Sequence, residues 1–134
     1  VHKPTKEATN EVLDNYTIYN AFTFGPALVI DGELQKIRLD YGYAPQDNAP
    51  RTAIGQIGPL SYALVVVDGR QQGYSRGVTH KMLGEFMLSI GCQQAYNLDG
   101  GGTTAMIFHD QVVNQPSGGG ERKVTDIIYF ASAS

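Results

Sequence analysis

Tryptophan is missing from this sequence, and cysteine occurs once, at Cys92. A lone cysteine excludes an internal disulfide and any zinc site built from several cysteines. Long apolar runs are missing too. No stretch approaches the roughly 18 consecutive apolar residues of a membrane-spanning helix. Positive charge is not in excess: the formal net charge is -3. That removes the global electrostatic case for nucleic acid or an anionic membrane as partner. Histidine is scarce, and His2, His80 and His109 show no H-x-x-x-H or similar ligand spacing, so a histidine metal site is not expected. There is neither an initiator methionine nor a signal peptide. The chain opens "VHKPTKEATNE", which reads as the interior of a longer protein or a processed terminus.

What is present suffices for one domain. The 134 residues are 42% hydrophobic and 17% charged, the balance of a globular protein with a real core. Residues 1–23 are polar and mixed and read as a peripheral arm or linker; 24–134 read as the domain. "PALVIDGELQKI" is two apolar runs around Asp31-Gly32, a hairpin signal. "DYGYAPQDNAP" is a loop. "RTAIGQI" is a short strand, and "YALVVV" (62–67) reads as a buried central strand. In "VTHKMLGEFMLSIG", Val78, Met82, Leu83, Phe86, Met87 and Ile90 follow a helical period, with Thr79 as N-cap and Gly91 at the C-terminal cap. "QAYNL" is a second buried strand, "AMIFHDQVVN" a strand–turn–strand, "QPSGGGERK" a mobile loop, and "VTDIIYFA" (124–131) a last strand. Strand, helix and strand between Val65 and Leu98 suit a parallel crossover. The expected architecture is therefore α+β, with few helices and a mixed sheet. Cys92, at the helix-to-strand junction, reads as a small buried hydrophobe.

Two of these strands end alike, in "VVVDGR" and "YNLDGGG". If they run in parallel, Asp68 and Asp99 lie at one edge of the sheet, where ligand sites in open α/β sheets gather. Each Asp-Gly alone is ordinary turn chemistry. Both together, with Arg70 beside one and Gly100, Gly101 and Gly102 beside the other, favour a site. Consecutive glycines can turn N–H groups toward one point as an anion nest, and Thr103 and Thr104 add hydroxyls. Arg51, Arg70 and Arg122 offer guanidinium forks for phosphate oxygens. The competing nucleotide motifs fail. No lysine follows the glycines, as a Walker loop requires. Gly100, Gly102 and Ala105, with Glu121 further on, imitate the dinucleotide fingerprint, but the residues after them are β-like where that motif must open a helix. No cofactor is expected; a calcium or magnesium ion held by carboxylates alone, through Asp68 and Asp99, stays open as an alternative.

"PRTAIG" (50–55), "VVVDGR" (65–70), "LGEFMLSIGCQQAYNLDGGGTTAM" (83–106), "VVNQPS" (112–117) and "ERKVTDIIYF" (121–130) together resemble the phosphodiester glycosidase family. The resemblance spans about residues 24–131. Two features depart from the family's pattern. Its domain ordinarily opens with an Asn-Gly-Gly-rich segment ending in an aromatic, and none precedes "FTFGPALV"; part of the domain is then expected on an upstream segment or a partner chain. Thr103 and Thr104 stand where serines are common. The resemblance implies hydrolysis of the bond between an anomeric carbon and a phosphodiester, as in removal of N-acetylglucosamine from a glycan phosphate or in exopolysaccharide metabolism. It implies a sugar phosphodiester or polysaccharide substrate, no nucleic acid, and an exported, extracellular or cell-surface setting, in a bacterium. Asp99, Asp68, Arg51 and Arg70 are the candidates for catalysis. Asn97, Gly100, Gly101, Gly102, Thr103, Thr104, Asn114 and Arg122 are the candidates for binding. The alternatives are a non-catalytic carbohydrate- or phosphate-binding domain, an inactive fragment of a longer cell-surface protein, and a homo-oligomer completing the pocket.

Overall fold

The computed structural model describes residues 5–131 apart from 39, 41 and 43. His2 and part of the 40–50 loop lie outside the described residues. Helix α1, Lys6–Asn15, starts at Thr5, whose hydroxyl accepts the Ala8 N–H at 3.2 Å, and none of its residues is buried. The Asp31-Gly32 signal produces the hairpin it announces. Strands β1 (Ala27–Ile30) and β2 (Glu33–Leu34) pair antiparallel, and both turn residues have positive φ, 51° and 75°. That is the turn whose twist matches the flanking strands. Strands β3 (Arg51–Gly58) and β4 (Ser61–Val67) form a second hairpin. Helix α2, His80–Ser89, leads into β5, Gln94–Leu98. The sheet order is β2-β1-β5-β3-β4. A small separate hairpin, β6 (Ile107–Phe108) and β7 (Gln111–Val112), turns at His109 and Asp110.

The architecture is α+β, and three expectations are refined. Strands β4 and β5 do run in the same direction, but β3 lies between them and pairs antiparallel with both. Neighbouring pairs are therefore antiparallel throughout this sheet, where a mixed sheet was expected. Strand β4 is an edge, not a central strand. Its run is apolar because both of its faces are: Ala63, Val65 and Val67 pack against the core while Tyr62 and Leu64 stay exposed. An apolar run reports two apolar faces and not the number of neighbours. Residues 124–131 form no strand. Phe130 sets its ring 5.8 Å from that of Tyr62, but β-propensity without an edge to pair with makes no ladder.

The core is Leu28, Val29, Ala53, Leu83, Met87, Cys92 and Ala95, between α2 and one face of the sheet. Two glycines permit that contact. A Cβ on Gly55 would sit 2.5 Å from Cys92 Sγ, and one on Gly84 2.9 Å from Leu34 Cδ1. Helix α2 starts as expected, with Thr79 accepting the Met82 N–H at 3.2 Å. Its end is a Schellman motif: the Cys92 N–H donates to Met87 O, the Gly91 N–H to Leu88 O, and Gly91 has φ 92°. Its buried face is His80, Leu83, Gly84 and Met87, whereas Met82 and Phe86, part of the expected apolar stripe, are 47% and 49% exposed. The helix is rotated to seat a histidine and a glycine that hydrophobicity alone does not mark.

His80 is fully buried, its Nε2 2.8 Å from Arg51 Nη1. Burial, then the Arg51 charge, push its pKa down from 6.5 to about 4. The unfolded chain therefore takes up this proton first as acid is added. The neutral imidazole's contribution is whole above about pH 6.5 and falls as the pH drops toward 4. The melting temperature is expected to decline across that window, and His80→Gln to flatten that decline. An unchanged slope in the variant would mean that other groups carry it.

Candidate active site

The antiparallel register puts the first residues of β3 level with the last residues of both neighbours. Arg51 pairs with Val67, and Thr52 with Leu98. Asp68 and Asp99 thus leave the sheet at one edge, on either side of Pro50 and Arg51. A separate strand-to-turn junction carries each of them.

At the Asp99 junction the chain enters a single 3₁₀ turn, Gly101–Thr103. The Gly100 N–H donates to Asp99 Oδ1 at 2.9 Å, and the Gly101 N–H to Pro50 O at 3.0 Å. The Thr103 hydroxyl lies 2.7 Å from Gly100 O and 3.0 Å from Asp99 Oδ2. Two of the three glycine N–H groups are thus committed inside the protein, so the anion nest expected of the triplet is largely filled by the chain's own oxygens. What approaches these glycines is protein. A Cβ on Gly100 would meet Pro50 O at 2.8 Å; one on Gly101, where φ is 62°, would meet Arg70 Nη1 at 3.1 Å; and one on Gly102 would lie 3.6 Å from Arg122 Nη1. Glycine lets two guanidinium groups close on the turn. Among the described residues, neither side chain makes a hydrogen bond or ion pair. Asp99 itself is exposed.

Asp68 is built differently. Its Oδ1 accepts from Asn114 Nδ2 at 2.7 Å, and its Oδ2 from Tyr74 Oη and from the Gln115 N–H, both at 2.9 Å. Burial raises its pKa, but the bonds from Asn114, Gln115 and Tyr74 outweigh burial and hold the carboxyl below its ordinary value. Asn114 also donates to Thr104 O at 3.1 Å and accepts the Met106 N–H at 2.8 Å. Asp68 and Asn114 therefore tie together the segments after β4, after the glycine turn and after β7. The sequence marked both residues but not this role. Tyr74 and Gln115 carry no such mark, because nothing in "QQGYSRG" or "VVNQPS" distinguishes a loop polar group that caps a distant carboxylate.

Three other candidates lie behind the turn. Arg51 is buried on the α2 face. Its Nε donates to Val78 O at 3.1 Å, and its Nη2 to Ala44 O and Asp47 O at 3.0 and 2.8 Å. Burial, then the Arg70 charge, lower its pKa. Asn97, opposite Ala53 on that same buried face, donates from Nδ2 to Gly25 O at 2.8 Å. Its Oδ1 has no hydrogen-bond partner among the described residues. Thr104 is fully buried, with Thr52 Oγ1 at 3.4 Å from its hydroxyl. The geometry gathers Asp99, Gly100, Gly101, Gly102, Thr103, Arg70 and Arg122 at the surface, braces them with Asp68 and Asn114, and leaves Arg51, Asn97 and Thr104 in the interior. No group of three or more metal-ligating side chains converges among the described residues.

The α+β sheet thus carries an Asp-Gly-Gly-Gly turn and two exposed guanidinium groups at one edge. The chain belongs to the phosphodiester glycosidase family, which it matches over residues 2–131. It is similar to the SPbeta prophage-derived uncharacterized protein YomE of Bacillus subtilis strain 168, with 32% identity over 123 residues. That match covers 92% of this chain and 19% of the relative, so the chain spans about a fifth of its length. In fold it is similar to the catalytic domain of zebrafish N-acetylglucosamine-1-phosphodiester alpha-N-acetylglucosaminidase, auto-inhibited by its pro-peptide. The TM-score is 0.57 at 23% identity, over 68% of this chain and 33% of that one. A Burkholderia pseudomallei K96243 chain whose name marks it as a candidate exported protein aligns with TM-score 0.50 and 35% identity, over 56% of this chain and 15% of that one. No described helix is long and apolar enough to cross a membrane.

Asp68→Asn keeps the shape but replaces a triple acceptor with an amide. It is expected to destabilise the fold by about 1–3 kcal/mol, the scale of hydrogen bonds to a charged group. Urea unfolding measures it; a change under about 0.5 kcal/mol would show that the tie carries no load.

Proposed function

We propose that this chain is the catalytic part of a phosphodiester glycosidase, hydrolysing the bond between a sugar's anomeric carbon and a phosphodiester. The observation that carries the proposal is the placement of two guanidinium groups, Arg70 and Arg122, against the glycine turn beside the exposed Asp99, neither of them paired among the described residues. In this reaction the C1–O bond breaks. Its electron pair leaves with the phosphate, and water supplies the new oxygen at C1. A phosphate departs with little help from a proton donor, so the site must stabilise its negative charge and the cationic sugar. Arg70 and Arg122 take the phosphate oxygens. The Asp99 carboxylate faces the sugar cation, attacking it or drawing a proton from the incoming water. The Gly100 N–H and the Thr103 hydroxyl hold that carboxylate in place. Asp68 and Asn114 keep the loops in register and act through position.

The substrate is a glycan phosphodiester outside the cytoplasm, a reading supported by the likeness to a candidate exported protein. A second reading, phosphate binding without hydrolysis, rests on the same contacts to Asp99, because the Gly100 N–H on Oδ1 and the Thr103 hydroxyl on Oδ2 occupy lone pairs that a nucleophile or base would use.

Release of reducing sugar from a sugar-1-phosphodiester separates the two readings. Hydrolysis is expected, with Asp99→Asn lowering kcat/KM at least about a hundredfold, the scale of an acid–base group. Arg70→Lys keeps the charge, loses the fork, and is expected to cost roughly tenfold. Binding of phosphate without turnover would favour the second reading.

A further inference from the structure

A cavity of about 390 Å³ opens beside the glycine turn, with Gln71, Asn114, Gln115, Pro116, Gly120 and Glu121 among its lining residues. Its size is that of a small-ligand site. It shares a wall with the turn. Asn114 lines it and also holds Thr104 O and the Met106 N–H, while Arg122, next to Glu121, sits against Gly102. That wall is fixed: Gln71 Nε2 donates to Gln115 O at 2.7 Å, linking two loops. Its opposite rim is open. A Cβ on Gly118 or Gly120 would meet nothing within 4 Å, so packing does not explain the second glycine triplet.

The lining chemistry is specific. Among the described residues, no lysine or arginine lines the cavity. The Glu121 carboxylate makes no hydrogen bond or ion pair among the described residues. Gln71 Oε1 offers an acceptor, its two N–H groups being given to Gln115 O and Gly69 O; the Gln115 carboxamide offers a donor and an acceptor, and Pro116 and Val112 an apolar floor. Hydroxyl groups on a carbon frame satisfy such a lining; a second negative charge does not.

We propose that this cavity receives the group on the far side of the phosphate, that this group is neutral and hydroxyl-bearing, and that Glu121 is the specificity-determining residue that rejects an anionic one. The proposal rests on the phosphodiester reading for the cavity's role, but the preference itself can be measured without turnover. A carboxylate about 6 Å from a bound anion disfavours it by roughly threefold at the dielectric constant of water and by roughly a hundredfold at the effective value of about 20 typical of a protein surface.

The test is a nuclear magnetic resonance titration of the full chain with methyl α-glucopyranoside and, separately, with its anionic counterpart, methyl α-glucopyranosiduronate. Saturable shifts are expected at the amides of Gln71, Asn114, Gln115 and Gly120, with the neutral glycoside binding at least fivefold tighter. Glu121→Gln should bring the two within twofold. Gly120→Leu, whose Cβ would meet nothing within 4 Å, should abolish both while the fold, followed by circular dichroism, persists. Absence of saturable shifts at these amides, or discrimination unchanged in Glu121→Gln, overturns the proposal even if diesters are hydrolysed. Binding with the expected preference but no hydrolysis of any diester leaves the pocket standing and defeats the enzymatic reading.

Discussion

The rest of the structure depends on β3 being paired on both sides. Its backbone faces β4 along one edge and β5 along the other, with Thr52 opposite both Val66 and Leu98. Pairing period is two, so a slip of one residue would turn Arg51 to the outer face and drive Thr52 into the core. Gly55 resists such a slip, because only a residue without a Cβ fits beneath Cys92 and Met87. From that register comes the placement of Pro50, whose carbonyl takes the Gly101 N–H and draws the glycine turn against the sheet end. The site is thus fixed by a strand that contributes almost nothing to its open surface.

Charge at this edge is sorted by depth. The half-buried carboxylate of Asp68 and the buried guanidinium of Arg51 are satisfied by neutral groups: an amide, a phenol and a peptide N–H for the acid, backbone carbonyls for the base. One carboxylate, Asp99, and two guanidinium groups remain toward solvent. The Arg70 charge is felt by Arg51, whose pKa it helps to lower. Like charges held close favour any ligand that relieves them. An anion beside Arg70 would do so, and that argument does not depend on the glycine N–H groups.

Much of this was legible in the sequence. Asp31-Gly32, Thr79 and Gly91 specify their turn and caps through local backbone chemistry, and each of them does so in the fold. The placement of Asp68 and Asp99 at one edge also came from two strands ending in Asp-Gly, although the intervening β3 could not be seen in a strand–helix–strand order. What escaped was whatever depends on facing. Arg51, Asn97 and Thr104 have the chemistry of site residues, but strand alternation and the depth of the turn put them inside. His80 carries no mark of burial in the sequence and proved to be core, because its partner is a guanidinium 29 positions away. Tyr74 and Gln115 carry no sequence signal, since capping a carboxylate across loops has no fixed spacing.

The two glycine triplets show how little composition says by itself. In Gly100, Gly101 and Gly102 the missing side chains are filled by a carbonyl and two arginines, so the triplet is a place of close approach. In Gly118, Gly119 and Gly120 there is only space, and only Gly119, at φ 81°, needs a conformation that other residues avoid. Glycine loses more backbone entropy on ordering than any other residue. A position that keeps it with neither a tight contact nor a positive φ gains nothing from it in the unliganded fold. Gly118 and Gly120 are such positions: a side chain at either would point into open space, so the same residue type serves close approach in one triplet and plain loop in the other.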